Sequence, residues 1–417
     1  MKPRLLLLCP TKTYRAEAFV RAARRLPADL SIASEEPSAL SHLHPDALPA
    51  FDFDNAERAA EFARQFHREY PIHAVVPVDD QATMAAAAIA EALDLAGNPP
   101  AAIAAATDKF LMREHMHRAG LDVPEYRRLA IDEVADEGLA LPAFPAVVKP
   151  LAMSASRGVI RVNNPDEFRQ AVGRVANIVK ASGAIATPGA RGTDAALLVE
   201  SYVPGWEVAV EGILSHGALD VFTIFDKPDP LEGPYFPETL YVYPSRLPRA
   251  SQERVIELTR EAIRAVGLTH GPVHAELRGN RSGVTLIEIA ARSIGGLCSK
   301  VLRFRGGLSL EDVILRHAIE LLPVIPETEP GAAGVLMLQA PRAGTFVEVR
   351  GVEKARATPA VDEIDIVAYS GQTLEPLPEG SLYVGFVFAR AETPEAVETA
   401  LRHAGERIEV VLDGEAK

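Results

Sequence analysis

The chain has 417 residues, 48% of them apolar and 24% charged. At about 150 residues per domain this predicts two or three domains with sizeable cores, and excludes a disordered, collagen-like or coiled-coil chain. Acidic residues outnumber basic ones 57 to 43, a formal net charge of −14, which argues against a general nucleic-acid binder and against charge-driven docking on an anionic membrane. A small anion held by a few local lysines is still compatible. Cys9 and Cys298 are the two cysteines; they make neither a disulfide framework nor a zinc cluster, and they fit a reducing, cytoplasmic setting. No apolar run approaches the ~18 residues of a membrane span. Leu5-Leu6-Leu7-Leu8, after Lys2 and Arg4, is too short for a secretory segment and stops at Pro10, so it reads as a first buried strand.

The first hundred residues alternate strand and helix. Strands are predicted at 4–9, 30–33 and 74–78. Helices are predicted at 16–25, at 55–69 behind an Asp54 cap, and at 81–95, closed by Gly97. This alternation predicts a parallel sheet with helices on its faces. The Gly-rich dinucleotide fingerprint is absent after the first strand, so no nicotinamide site is expected. Asn98-Pro99-Pro100 marks a boundary, and Thr107 is the expected cap of a helix over 108–119. Short strands at 146–149 and 158–162 flank a small-residue loop, 150–157. Asn164-Pro165-Asp166-Glu167 starts a helix running to about 181. The segment 183–193 has a mobile composition. Strands follow at 196–201, 206–214 and 219–225, then a Pro/Gly loop over 226–237, a helix at 251–266, and a hairpin of 271–278 with 283–290. A helix over 309–322 precedes short strands and one late helix, 394–404.

The hairpin carries the sharpest argument. Alternate side chains of a strand share a face, so His274, Glu276 and Arg278 lie together, as do Val284, Leu286, Glu288 and Ala290. A turn centred on Ser282 sets Glu276 opposite Glu288. Opposed carboxylates repel, and a divalent cation reverses the sign. Mg²⁺ is typically held by one or two carboxylates plus substrate phosphates. The alternative is two glutamates facing solvent. Leu286 on the face of Glu288 argues against full exposure, and on the hairpin alone the two readings stand level.

Three other stretches are weaker. Lys149 ends a strand before Met153-Ser154-Ala155-Ser156-Arg157-Gly158. Small residues there let backbone N–H groups reach a phosphate and the lysine adds a point charge, though an ordinary turn with a solvated lysine explains the stretch more simply. The Walker motif is absent. Glu200-Ser201-Tyr202-Val203-Pro204-Gly205-Trp206-Glu207 is a strand–turn–strand whose free backbone groups suit an adenine edge and whose acids suit ribose hydroxyls; alone it is equally a plain turn with surface acids. Arg292-Ser293-Ile294-Gly295-Gly296 offers a bidentate anion contact and close backbone approach, or an arginine paired with a surface acid. His270 and His274 share a strand face without a third ligand, which favours structural histidines over zinc.

In combination and in this order, these elements resemble the ATP-grasp superfamily across about residues 100–300. The resemblance implies an α/β fold of the α+β grasp type. Its parts are an N-terminal Rossmann-like parallel-sheet domain (1–100), an ATP-grasp domain (101–330) with a small lid near 140–205, and a C-terminal α+β domain (331–417). It implies that Lys109 and Lys149 grip nucleotide phosphates with Ser154, Ser156 and Gly158. Glu200, Ser201, Tyr202 and Val203 would present the adenine edge and Glu207 would bind ribose, while Glu276 and Glu288 hold Mg²⁺, for which Mn²⁺ is a possible substitute. Met153 and Ala155 stand where the family's lid carries glycine, and Ala290 where it often carries a metal-binding asparagine.

The stretch 225–246 with 292–296, and the C-terminal region, resemble the L-amino-acid ligase and carnosine-synthase-like branch. That implies an ATP-dependent carboxylate–amine ligase acting through an acyl phosphate on small-molecule acids and amines, with Lys149 and Arg292 catalytic. Lys227, His274, Arg292, Gly295 and Gly296 are then the substrate candidates. The expected lid is 150–157 with 183–193, and the expected assembly a homodimer. The alternatives are an ATP-grasp ligase or kinase of another pathway, such as purine synthesis, and a non-catalytic ATP-binding protein.

Overall fold

The computed structural model describes residues 2–131, 141–182 and 196–413. The expected mobile segment 183–193 lies outside the described residues. The fold is α/β. Three parallel strands, β1 (Arg4–Leu8), β2 (Asp29–Ala33) and β3 (Ala74–Pro77), form a sheet in the order β2-β1-β3. The helices α1 (Ala16–Ala23), α2 (Ala56–Glu69) and α3 (Thr83–Ala92) accompany them. The leucine run of β1 is buried on both sides: Leu6 and Leu8 pack with Ala59, Phe66 and Ile89, whereas Leu5 and Leu7 join the core of the larger sheet. A strand covered on both faces requires such a continuous apolar run.

Two caps differ from expectation by one residue. Asn55, not Asp54, caps α2 by accepting from the Arg58 N–H (3.0 Å). Asp108, not Thr107, caps α5 (Lys109–Arg118) by accepting from the N–H groups of Phe110 and Leu111. Both are the extended residue from which a side-chain oxygen reaches the first turn's free N–H groups. The predicted boundary at Asn98-Pro99-Pro100 opens a further helix, α4 (Pro100–Thr107), with proline at its first position. Its alanine-rich sequence has no apolar period to announce it. The helix expected over 81–95 begins with a 3₁₀ turn, Asp80–Ala82.

Strands β4 (Tyr126–Ala130), β5 (Ala146–Pro150), β6 (Ile160–Val162) and β7 (Ala196–Ser201) form an antiparallel sheet in the order β4-β7-β5-β6, backed by α6 (Pro165–Ser182). The largest sheet follows. It contains β8 (Trp206–Ser215), β9 (Ala218–Lys227), β10 (Leu240–Tyr243), β11 (Gly271–Asn280) and β12 (Gly283–Ala290), with α7 (Arg249–Val266) between β10 and β11. After a hairpin of two short strands, β13 (Arg303–Phe304) and β14 (Leu308–Ser309), comes α8 (Leu310–Ala318), which stops short of the expected 322. The C-terminal region adds β15 (Ala332–Leu338), β16 (Gly344–Arg350), α9 (Val352–Arg356), β17 (Val361–Ile366), β18 (Thr373–Leu374), β19 (Gly385–Ala391), α10 (Pro394–Gly405) and β20 (Glu409–Asp413). Strands β15, β19 and β17 extend the central sheet, whose order is β12-β11-β8-β9-β10-β15-β19-β17.

Strand alternation assigns the two faces of this sheet. Val208 and Val210 of β8 and Val273, Ala275 and Leu277 of β11 pack on α7 through Val255, Leu258 and Ala262. Leu240, Val242 and Val387 pack on α10 through Val397 and Leu401. The intervening residues face the other way. Glu276 pairs with Glu288 as predicted, but the turn is not centred on Ser282. Asn280 pairs with Gly283, and a bulge between Glu276 and Leu277 restores the register, so Leu277 pairs with Leu286. The bulge adds one residue to β12 and reverses its alternation. Glu288 therefore does not share the face of Leu286, as alternation alone predicted; Leu286 enters the α7 core and Glu288 turns to the opposite side.

α8 is joined to the N-terminal region by Asp312, whose carboxylate accepts from the Ser309 N–H (3.0 Å) and from Arg25 Nε (3.0 Å). Burial opposes its ionisation, but the Arg25 and Ser309 bonds outweigh it and hold its pKa below the usual aspartate value of 3.8. Stability from Asp312 is thus complete above pH 3.8 and is lost as pH falls through the lower folded value. Asp312→Asn is expected to cost about 2 kcal/mol at pH 7. In acid titrations of urea midpoints, the gap from wild type should close below pH 3.8.

Candidate active site

The alternation that buries Val273, Ala275 and Leu277 turns His274, Glu276 and Arg278 into a cavity of about 300 Å³. It lies between the central sheet, the four-stranded sheet and the N-terminal region, and Lys109, Lys149, Glu276 and Glu288 all line it. Lys109, at the start of α5, donates to Met153 O (2.7 Å) and to Glu288 Oε1 (3.1 Å), so it joins the small-residue loop to the hairpin. Lys149, at the end of β5, is buried and ion-paired with Glu200. Burial lowers the Lys149 pKa to about 8, with Arg113 and Lys109 acting in the same sense against Glu200.

Arg113 of α5 is completely buried. Its Nε meets Glu200 at 3.0 Å and its Nη2 donates to Ile287 O at 2.8 Å. That carbonyl belongs to the residue displaced by the bulge, so one guanidinium ties the Lys149–Glu200 pair to the segment that orients Glu288. Burial opposes ionisation of Glu200, but Arg113 and Lys149 prevail and lower its pKa.

A second network surrounds Lys227. Its Nζ lies 2.8 Å from Glu207, 3.2 Å from Glu238 and 3.3 Å from Glu276. Burial would lower its pKa, but the three carboxylates raise it well above the lysine range. The half-buried Glu276 carboxyl is held well below the usual range by Lys227 and by His274, against desolvation. His274 Nδ1 is 3.0 Å from Glu211 and Nε2 is 3.4 Å from Glu276; these bonds overcome burial and raise the imidazole pKa to about 9. Glu211, fully buried, also accepts from the Ile294 N–H (2.9 Å) and so anchors the Arg292–Gly296 loop. Arg292 pairs with Asp80 at 2.9 Å. Burial would lower the Arg292 pKa, but Asp80 outweighs it.

Residues 142–301 match the ATP-grasp domain family, 20–97 the ATP-grasp N-terminal domain and 336–413 the L-amino acid ligase C-terminal domain 2. A D-alanine–D-alanine ligase of Desulforudis audaxviator is 31% identical over 54% of this chain and 71% of its own length. The chain belongs to the ATP-grasp ligases. Carnosine synthase 1 of Gallus gallus is 29% identical over 75% of the chain, which spans only 35% of that protein. The crystal structure of an L-amino acid ligase from Bacillus licheniformis superposes with a TM-score of 0.79 over 99% of both chains, at 22% identity. That likeness concerns the fold.

Within this ATP-grasp frame, most of the predicted site residues meet on one wall. Ser154, Ser156, Glu200, Ser201, Tyr202, Val203, Glu207, His274, Arg292, Gly295 and Gly296 line the cavity with the four residues above. Gly158 and Lys227 do not. Gly158 has φ +72°, and a Cβ there would meet Pro150 Cγ at 2.8 Å, so its place is in the packing of β6 on β5. Lys227 is screened from the cavity by its three carboxylates. In the hinge, Ser201 N–H donates to Glu125 O and Tyr202 N–H to Pro145 O. Among the described residues this leaves the Val203 N–H without a backbone partner.

The sequence did not reveal Arg113, which braces the wall from behind, nor the lining residues Glu238 and Tyr241, the N-terminal Tyr14, Asp79 and Asp80, and Ser381 to Tyr383 of the C-terminal region. None carries a local motif; they arrive by tertiary packing. Among the described residues no group of three metal-ligating side chains forms. Two opposed carboxylates beside a pair of lysines fit the Mg²⁺ mode in which substrate phosphates and water complete the shell. Ala290 lies opposite His274 and lines the cavity without a ligating atom. Among the described residues no helix is long and apolar enough to cross a membrane.

Arg113→Met removes the buried cation that pairs with Glu200 and caps Ile287 O. It is expected to cost about 3–5 kcal/mol in urea unfolding, the range for breaking a buried ion pair from one side.

Proposed function

We propose that this ligase joins the carboxylate of one amino acid, or amino-acid-like acid, to the amine of another through an acyl phosphate, forming a peptide or amide bond. The observation that carries this reading is the convergence of Lys109, Lys149, Glu276, Glu288 and Arg292 on one cavity. Carnosine synthase 1 and the L-amino acid ligase among the similar proteins support the substrate class.

In this reading the backbone at Val203 meets the adenine edge and Glu207 takes ribose hydroxyls. Lys109, Lys149 and the backbone of Ser154 and Ser156 hold the phosphates. Mg²⁺, when bound by Glu276 and Glu288, supplies charge neutralisation at the phosphates. The substrate carboxylate oxygen attacks the γ-phosphorus; a C–O–P link forms, the bond to ADP breaks, and Lys149 with Arg292 balance the charge. The amine nitrogen then attacks the acyl carbon. The C–N bond forms, phosphate leaves, and the amine's surplus proton is released. Arg292 is held for this by Asp80, and its loop by Glu211. The loop 150–157 shields the acyl phosphate from water. The divisions 1–100, 101–330 and 331–417 and a homodimeric assembly belong to the same proposal, with the sheet continuous across position 331.

The test is a matrix of amino-acid pairs with ATP and Mg²⁺, reading phosphate release and product mass. Amide products with stoichiometric ADP are expected. ADP release that needs an acid but never an amine identifies a kinase instead. Glu288→Gln should reduce ADP release to background with every acid; normal turnover removes the metal assignment.

A further inference from the structure

A second recess, of about 190 Å³, opens beside the main cavity between the Pro10–Arg15 loop and Gly296. The two share Tyr14, Asp79 and Gly296 as a common wall. The loop is built rather than slack. Glu35 accepts from the N–H (3.0 Å) and hydroxyl (2.7 Å) of Thr11, the Thr13 N–H donates to Pro10 O, and Thr13 Oγ1 accepts from the Arg15 N–H. Behind it Arg15 is buried, donating to Val78 O (2.8 Å), Asp79 (3.2 Å) and Ser293 Oγ (2.5 Å). Its Nε has no hydrogen-bond partner among the described residues. The floor of the recess is thereby fastened to the residue next to Arg292.

The two spaces differ in charge. On the main wall carboxylates outnumber lysine and arginine seven to four; in the recess Arg15 is paired with Asp79 at 3.2 Å, and Lys12 is the remaining cation. Lys12 is exposed and has no ion-pair partner among the described residues, in a chain of net charge −14. At the junction Gly296 has φ +62°, and a Cβ there would lie 2.9 Å from the buried Phe386, so nothing larger than glycine fits at this position. The recess therefore offers an anion a cation of its own, beside the cavity that holds the reacting groups.

Resting on the ligase reading above, we infer that this recess is the subsite for the amine-donating substrate, which is an α-amino acid whose free carboxylate stays at Lys12. Its amine passes Asp79 and Gly296 into the main cavity. Lys12 reads the acceptor's charge, and the buried Arg15 holds the loop that carries it against the Arg292 segment.

The experiment compares wild type, Lys12→Glu and Lys12→Arg, with the common L-amino acids as acceptors against the same acceptors as amides, reading product mass and kcat/KM. Hydroxylamine, an acceptor without a carboxylate, reports the ligase chemistry of the wild type separately. Wild type should prefer the free-acid acceptor by at least tenfold. Lys12→Glu should cut that preference at least tenfold, and Lys12→Arg should keep it. Hydroxylamine-dependent ADP release with an unchanged preference in Lys12→Glu overturns the subsite alone. No hydroxylamine-dependent release by the wild type overturns the ligase reading and the subsite with it.

Discussion

The Arg113 guanidinium, without solvent contact, is the constraint on which the rest of the site depends. Taking a cation out of water is tolerated only when nearby acceptors replace its hydration. Glu200 and the Ile287 carbonyl do so for Nε and Nη2, from two different sheets, while Nη1 has no hydrogen-bond partner among the described residues. The requirement fixes α5 between them. Because Lys109 begins that helix and Lys149 shares Glu200, both lysines are positioned by the same burial.

The central sheet supplies the complementary charge. Its period of two turns every second residue of β8 and β11 toward α7 and leaves Glu207, Glu211, His274, Glu276 and Arg278 on the other face. So many acids on one face would repel if left alone. Lys227, His274 and Arg278 offset them, which leaves Glu276 ionised with one side toward the cavity. The arrangement is electrostatically prepared before any ligand arrives, which is the condition for catalysis by positioning and charge stabilisation.

The three regions contribute unequally. The N-terminal region brings Asp80 to Arg292 and Arg15 to Ser293, so the loop after β12 is held from outside the sheet it leaves. The C-terminal strands complete the sheet and bring Tyr383 to the cavity rim.

Much of this was legible in the chain itself. Alternation of apolar residues marked the buried strands, the leucine run marked a strand covered on both faces, and the turn residues between two alternating runs marked the hairpin that carries Glu276 and Glu288. These are short-range signals, set by the geometry of a strand or a turn and independent of what packs on it. The cap at Asn55, helix α4 and the bulge at Ile287 were not legible. A one-residue shift or insertion depends on which backbone group finds a partner in the folded state, and the carbonyl at the bulge finds Arg113, 174 residues away. Charge pairing was equally hidden. Lysines 109, 149 and 227 look alike in sequence, yet packing places the first two on the cavity wall and surrounds the third with carboxylates. Composition and periodicity determined the elements and put one glutamate on each strand of the hairpin. Tertiary structure alone decided which cations meet them, because burial makes each charge depend on partners that chain order does not bring near.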